Sequence, residues 1–202
     1  MQAVFETVFD IAYLSFVLAT GIRMLAQGKK IGMCAVILGG GDAFHLIPRA
    51  VALWTDGLAA HSASLGIGEL ITSITMTVFY LLLYRYTIRD VGKETKSFAI
   101  TLYVLAILRI SLCLFPQNRW TSADAPFSWG VFRNIPFVIM GIMMIVLYAR
   151  RGKSRMALAV ALSFGFYIPV VLFAGAHPFV GMLMIPKTLS YVWIIVMLSK
   201  TK

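Results

Sequence analysis

The segment SFAITLYVLAILRISLCLFP, residues 97–116, carries one charged side chain, Arg109, in 20 residues. About 20 apolar residues at 1.5 Å rise per residue cross a hydrocarbon layer about 30 Å thick. Outward from this segment, six more stretches read the same way, near 3–26, 31–54, 65–88, 129–150, 154–175 and 179–199. The chain has 202 residues, of which 60% are hydrophobic and 13% charged, too much apolar surface for one small soluble core. The expected fold is therefore all-α, a single seven-helix transmembrane domain over residues 1–202. Each span must be helical because an unpaired backbone group in hydrocarbon costs several kcal/mol.

The net charge of +10 does not point to nucleic acid, because the basic residues flank apolar helices instead of forming a basic face. Gly28-Lys29-Lys30, the run from Arg85 to Lys96, Arg150 to Arg155, and Lys200 with Lys202 fall on one side of the seven-span reading. The opposite connections hold Arg119 alone. The positive-inside rule then places the N-terminus outside and the C-terminus in the cytoplasm, in a bacterial inner or plasma membrane. Trp54, Trp120 and Trp129 gather on the outer side, as an interfacial aromatic belt does. The first stretch contains Glu6 and Asp10 with no basic start before it, so it reads as a spanning helix and not a signal peptide. Cys34 and Cys113 fall near opposite leaflets and are not expected to form a disulfide.

The ionisable residues inside the spans are unevenly distributed. Glu6 and Asp10 lie one turn apart in the outer part of helix 1, and Asp42, His45 and Arg49 form one stripe on helix 2. Glu69 enters at the outer start of helix 3. Arg109 lies about two turns below the outer end of helix 4, Arg133 about one turn into helix 5 and Lys187 about two turns into helix 7. A charge near the bilayer centre costs at least about 2.5–3.5 kcal/mol, so these groups are expected to pair or to line one wet, outward-opening pocket. Interhelical pairs such as Asp42 with Arg109, or Glu69 with Arg133, are the purely structural alternative.

The run Leu38-Gly39-Gly40-Gly41-Asp42-Ala43-Phe44-His45-Leu46-Ile47-Pro48-Arg49 is the most unusual in the chain. Three glycines permit close approach of a backbone or ligand, and Pro48 frees the carbonyl of Phe44. A carboxylate and an imidazole one turn apart suit proton transfer, with His45 as base and Asp42 orienting it or taking a proton itself. Gly41-Asp42 followed by Leu46-Ile47-Pro48 resembles the Gly-Asp…Leu-Pro element of the lysoplasmalogenase-like (YhhN) membrane family. The resemblance covers about a dozen residues, implies hydrolysis of the vinyl-ether bond of lysoplasmalogens, and gives Asp42 a catalytic role.

Two looser similarities concern cofactors. His45, His61 and His177, all outward, are similar in number to the zinc-binding histidines of seven-helix ceramidase and adiponectin-receptor-like hydrolases, which implies a zinc site with an open position for water. Lys187 in helix 7, Glu69 in helix 3 and Phe166-Tyr167-Ile168-Pro169 in helix 6 are similar to elements of a retinal-binding rhodopsin. Leu183 occupies the place of that family's acid one turn before the lysine, so retinal is not expected.

The sequence thus points to an intramembrane hydrolase of a lipid or amphiphile, with Asp42, His45 and Glu69 as catalytic candidates. Arg49, Arg109, Arg133 and Lys187, with Glu6, Asp10, Tyr167 and Tyr191, make up the substrate-contacting set. The alternative is a transporter, substrate-capture subunit or receptor that binds an anionic or zwitterionic small molecule. Membrane lipids are the expected surroundings in either case.

Overall fold

The computed structural model describes residues 2–91 and 94–200, and every regular element among them is helical. Seven α-helices follow in order: α1 (Gln2–Ala26), α2 (Gly32–Trp54), α3 (Ser62–Val91), α4 (Lys96–Leu114), α5 (Phe127–Arg150), α6 (Ser154–Phe173) and α7 (Met184–Ser199). Each contains or adjoins a stretch long and apolar enough to cross a membrane. The sequence boundaries hold within a few residues at most ends. The main difference lies at the start of the seventh span, where Pro178–Leu183 winds as a 3-10 turn before α7 begins.

Successive helices pack side by side, and α7 returns to α1, so the seven close into a ring. The helices run alternately up and down. The end from which α1 starts is termed upper here, and the end carrying Lys29, Arg151 and Ser199 lower. At the upper end Trp54 Nε1 donates to Thr7 Oγ1 at 2.9 Å, joining α2 to α1. At the lower end Lys29 Nζ donates to the Ser199 carbonyl at 3.3 Å, and Arg151 pairs with Glu94 at 2.6 Å.

Helix starts and stops follow local chemistry. Thr95 caps α4, its hydroxyl accepting the N–H of Phe98 at 3.3 Å. Gly28, at φ +75°, makes the tight lower turn between α1 and α2 in a conformation that L side chains rarely adopt. Pro116 ends the fourth span, opening a 3-10 turn through Asn118.

Helical periodicity decides what faces inward. On α4, Leu102, Ala106, Arg109 and Cys113 are buried, at spacings of four, three and four, while Ile100, Val104 and Ile107 lie exposed. On α7 the buried stripe runs Lys187, Ser190, Tyr191, Ile194, Ile195 and Leu198. The period therefore turns Arg109 and Lys187 toward the bundle axis. Below them, Tyr80 of α3 closes the centre, edge-on to Phe137 at 5.3 Å between ring centroids, with its hydroxyl 3.5 Å from those of Ser163 and Tyr191.

α2 and α3 pack closely against each other. A methyl group on Gly68 would overlap the Phe44 carbonyl oxygen, the group that Pro48 leaves without its helical N–H. Of the glycine triplet, Gly39 faces Val17 and Leu18 of α1 and Gly41 faces Thr75 of α3, whereas Gly40 has open space. Two of the three glycines thus serve helix packing. Gly68→Ala is expected to destabilise the protein by about 1–3 kcal/mol through overpacking, and Gly40→Ala to stabilise it by up to about 1 kcal/mol through helix propensity. Unfolding of the detergent-solubilised protein reads both, and equal effects at the two positions would contradict the packing described.

Candidate functional site

The upper half of the bundle contains two ion-paired clusters joined by two further cations. The first cluster belongs to α1 and α2. Tyr13 Oη donates to Asp42 Oδ2 at 2.5 Å, and Arg49 approaches Glu6 Oε2 through Nη2 at 2.9 Å and Nε at 3.1 Å. Asp10 lies within electrostatic reach of Arg49, Glu6 and Asp42. Glu6, Asp10 and Tyr13 recur at spacings of four and three, so one face of α1 presents all three to the helix 2 stripe.

The second cluster joins α3, α5 and the connection before α5. Arg133 Nη2 donates to Glu69 Oε1 at 2.5 Å, Arg133 Nη1 donates to Asn118 Oδ1 at 3.1 Å, and the guanidinium stands 4.2 Å from the centroid of Trp120. Glu69 is 51% exposed on its side chain and Arg133 10%, so the pair sits at the rim with the cation on the inner side. Asn118 is itself held in its turn, its amide donating to the carbonyls of Leu112 and Phe115 at 2.7 and 2.9 Å.

Lys187 and Arg109 lie between these clusters. Lys187 is 9% exposed, and its Nζ stands 4.7 Å from the centroid of Tyr167 and 5.8 Å from that of Tyr191. Asp42, Arg109 and Glu69 are all within its electrostatic reach, which links the two clusters into one belt. Arg109 is 2% exposed, its Cζ 3.4 Å from the centroid of Phe137. Its Nε and Nη1 are buried and have no hydrogen-bond partner among the described residues. A cation over an aromatic face gains about 2 kcal/mol when desolvated, whereas burying the charge costs several. The aromatic ring therefore offsets only part of the cost at Arg109.

The two interhelical pairs weighed from sequence fare differently. Glu69 with Arg133 is present; Asp42 bonds to Tyr13 and not to Arg109. Asp42 and His45 share no hydrogen bond or ion pair among the described residues, although they lie within electrostatic reach of each other. His45 Nδ1 faces the Leu65 carbonyl at 3.2 Å, and since that oxygen only accepts, the neutral ring keeps its proton on Nδ1 and leaves Nε2 as an acceptor.

The three histidines do not converge. His61 Nε2 lies 3.0 Å from Thr55 Oγ1, His45 is turned to α3, and exposed His177 precedes the 3-10 turn before α7. Among the described residues no three His, Cys, Asp or Glu side chains form a metal-sized group.

Several contributors escaped the sequence reading. Tyr13 shares the Glu6–Asp10 face, a spacing that signals it. Asn118 and Trp120 lie in a connection and give no periodic signal. Asn134 accepts from Tyr167 Oη at 2.8 Å and was detectable only as an amide within an apolar span. Comparison with protein-family models, with curated proteins and with solved structures yields no match.

Tyr13→Phe removes the hydroxyl donated to Asp42 and is expected to cost about 1–3 kcal/mol, as for a half-buried acceptor left unsatisfied. Denaturant unfolding in detergent measures it; a variant as stable as the native protein would show that this bond does not hold α1 to α2.

Proposed function

We propose that the protein is a multi-pass membrane protein, N-terminus outside and C-terminus cytoplasmic, whose upper chamber binds the anionic group of a small amphiphile. The charge distribution supports the orientation, because the connections at the lower end are basic and those at the upper end carry Arg119 alone. The exposed apolar faces, such as Phe44, Ile47 and Val51 on α2, match a lipid surrounding.

One observation carries the ligand class. Arg109 is buried with two nitrogens that lack a hydrogen-bond partner among the described residues, beside Lys187, a second buried cation that contacts rings and, among the described residues, donates no hydrogen bond to a carboxylate. The other two cations, Arg49 and Arg133, already have Glu6 and Glu69. An entering phosphate or carboxylate supplies what Arg109 and Lys187 lack, and tyrosine hydroxyls from α6 and α7 lie beside it. Asp42 and Glu69 at either side disfavour a second negative charge, which suits a zwitterionic or singly anionic head.

A hydrolytic reading keeps one specific support. His45 is tied through Nδ1 and so offers Nε2 as a base, while Asp42 receives the Tyr13 proton bond on the adjoining turn. In that reading Asp42, in its acid form, gives a proton to the outer carbon of the vinyl-ether double bond, and His45 Nε2 takes a proton from the water whose oxygen adds to the ether-bearing carbon. The hemiacetal so formed breaks its C–O bond to release the aldehyde and leave a glycerol hydroxyl, while the cations hold the head group in place. The resemblance of the Gly41-Asp42…Leu46-Ile47-Pro48 segment to the lysoplasmalogenase-like family favours an ether-linked lysolipid as substrate.

Incubation of the purified full-length protein with lysoplasmenylethanolamine, followed by native mass spectrometry and product analysis, separates the two readings. Retention of the lysolipid is expected to fall by roughly tenfold or more in Arg109→Gln and in Lys187→Gln, as for loss of one charge-assisted hydrogen bond. Aldehyde release that disappears in Asp42→Asn would establish hydrolysis, and retention without product would establish binding alone. Undiminished retention in both cation variants would overturn the proposal.

A further inference from the structure

The lower end holds a separate feature. A cavity of about 790 Å³ opens between the α1–α2 turn and the lower ends of α3, α5, α6 and α7. Four cations line it, namely Lys29 and Lys30 from the turn, Arg89 from the last turns of α3, and Lys153 before α6. No Asp or Glu lines it among the described residues. Its floor is formed by the hydroxyls of Thr87 and Tyr148, 2.8 Å apart, and its wall by Met156 and Met197.

The arrangement has two chemical halves. Cations from three separate chain segments converge on one mouth, and the Lys29 ammonium is fixed there by the Ser199 carbonyl. Like charges gathered in this way attract a group with several anionic oxygens more strongly than any one of them alone. The methionine wall and tyrosine floor, by contrast, suit an apolar or glycerol portion. The volume falls within the range of small-molecule sites and exceeds what a phosphate ion fills.

We propose that this cavity binds a phosphate headgroup, that of an anionic lipid in the adjoining leaflet. Basic pockets between membrane helices on the cytoplasmic side recognise such headgroups by the same combination of charge and depth. The inference uses the membrane reading of the fold but none of the upper chamber, and the two sites lie at opposite ends of the bundle.

The test uses full-length protein in detergent with added phosphatidylglycerol, phosphatidylcholine or inorganic phosphate, read by native mass spectrometry and by thermal unfolding. Lys30→Gln with Arg89→Gln alters two exposed residues that line the cavity. Arg85→Gln with Arg150→Gln removes the same charge from exposed lower-end positions outside it. Preferential retention of phosphatidylglycerol over phosphatidylcholine is expected in the native and control proteins, and to fall roughly tenfold in the cavity variant. Stabilisation by inorganic phosphate alone, lost in the cavity variant and without lipid retention, would keep the phosphate chemistry and overturn the lipid source. Equal retention of the two lipids with no effect of phosphate, or an equal loss in the control, would overturn the site. Lysolipid retention in the upper chamber is unchanged by the cavity variant, so failure at one end leaves the other end's result readable.

Discussion

The guanidinium of Arg109 lies against Phe137 in the middle of the bundle, with two of its nitrogens lacking a hydrogen-bond partner among the described residues. A charge in that position is among the most costly groups a helical bundle can hold. Much of the upper half is arranged around this constraint. Three of the four cations inside the upper spans stand against aromatic rings, Arg109 on Phe137, Arg133 on Trp120, and Lys187 on Tyr167 and Tyr191. The rings lower the cost of the cations without neutralising them, so the local field stays positive between two flanking carboxylate clusters.

The backbone makes this arrangement unavoidable. Arg109 occupies the same stripe of α4 as Leu102, Ala106 and Cys113, so packing that stripe inward carries the charge with it. Lys187 follows the same logic on α7. Beneath them the Tyr80, Phe137 and Phe164 rings fill the axis, and Tyr80 joins Ser163 and Tyr191 through its hydroxyl. The charged belt is thereby confined above an aromatic layer, and polarity reappears only at the lower cavity with Thr87 and Tyr148.

How far the residues announce this depends on which physical signal carries each feature. The seven helices were legible because hydrocarbon thickness imposes a length and apolarity on every span, and Arg109 in residues 97–116 is conspicuous for that reason. The Glu69–Arg133 pair was legible from depth and charge. Partner choice at Asp42 was not, since the decision between Arg109, His45 and Tyr13 rests on interhelical distances that no local pattern encodes. The Gly39–Gly41 triplet shows the same limit: small residues signal close approach, but only coordinates show Val17, Leu18 and Thr75 filling most of it. The partners of the histidines, Leu65 for His45 and Thr55 for His61, were likewise not encoded in their number or side.

An unpaired buried cation kept for binding lowers the stability of the empty protein, whereas a cation kept for structure raises it. Replacing Arg109 by Met, similar in volume and apolar, therefore separates the two directly when unfolding is measured in detergent without added ligand. Arg109→Met is expected to unfold at a higher denaturant concentration than the native protein, by the equivalent of about 1–4 kcal/mol. A variant less stable than the native protein would show that Arg109 is held by the fold for its own sake, and would contradict the claim that this charge awaits an anion.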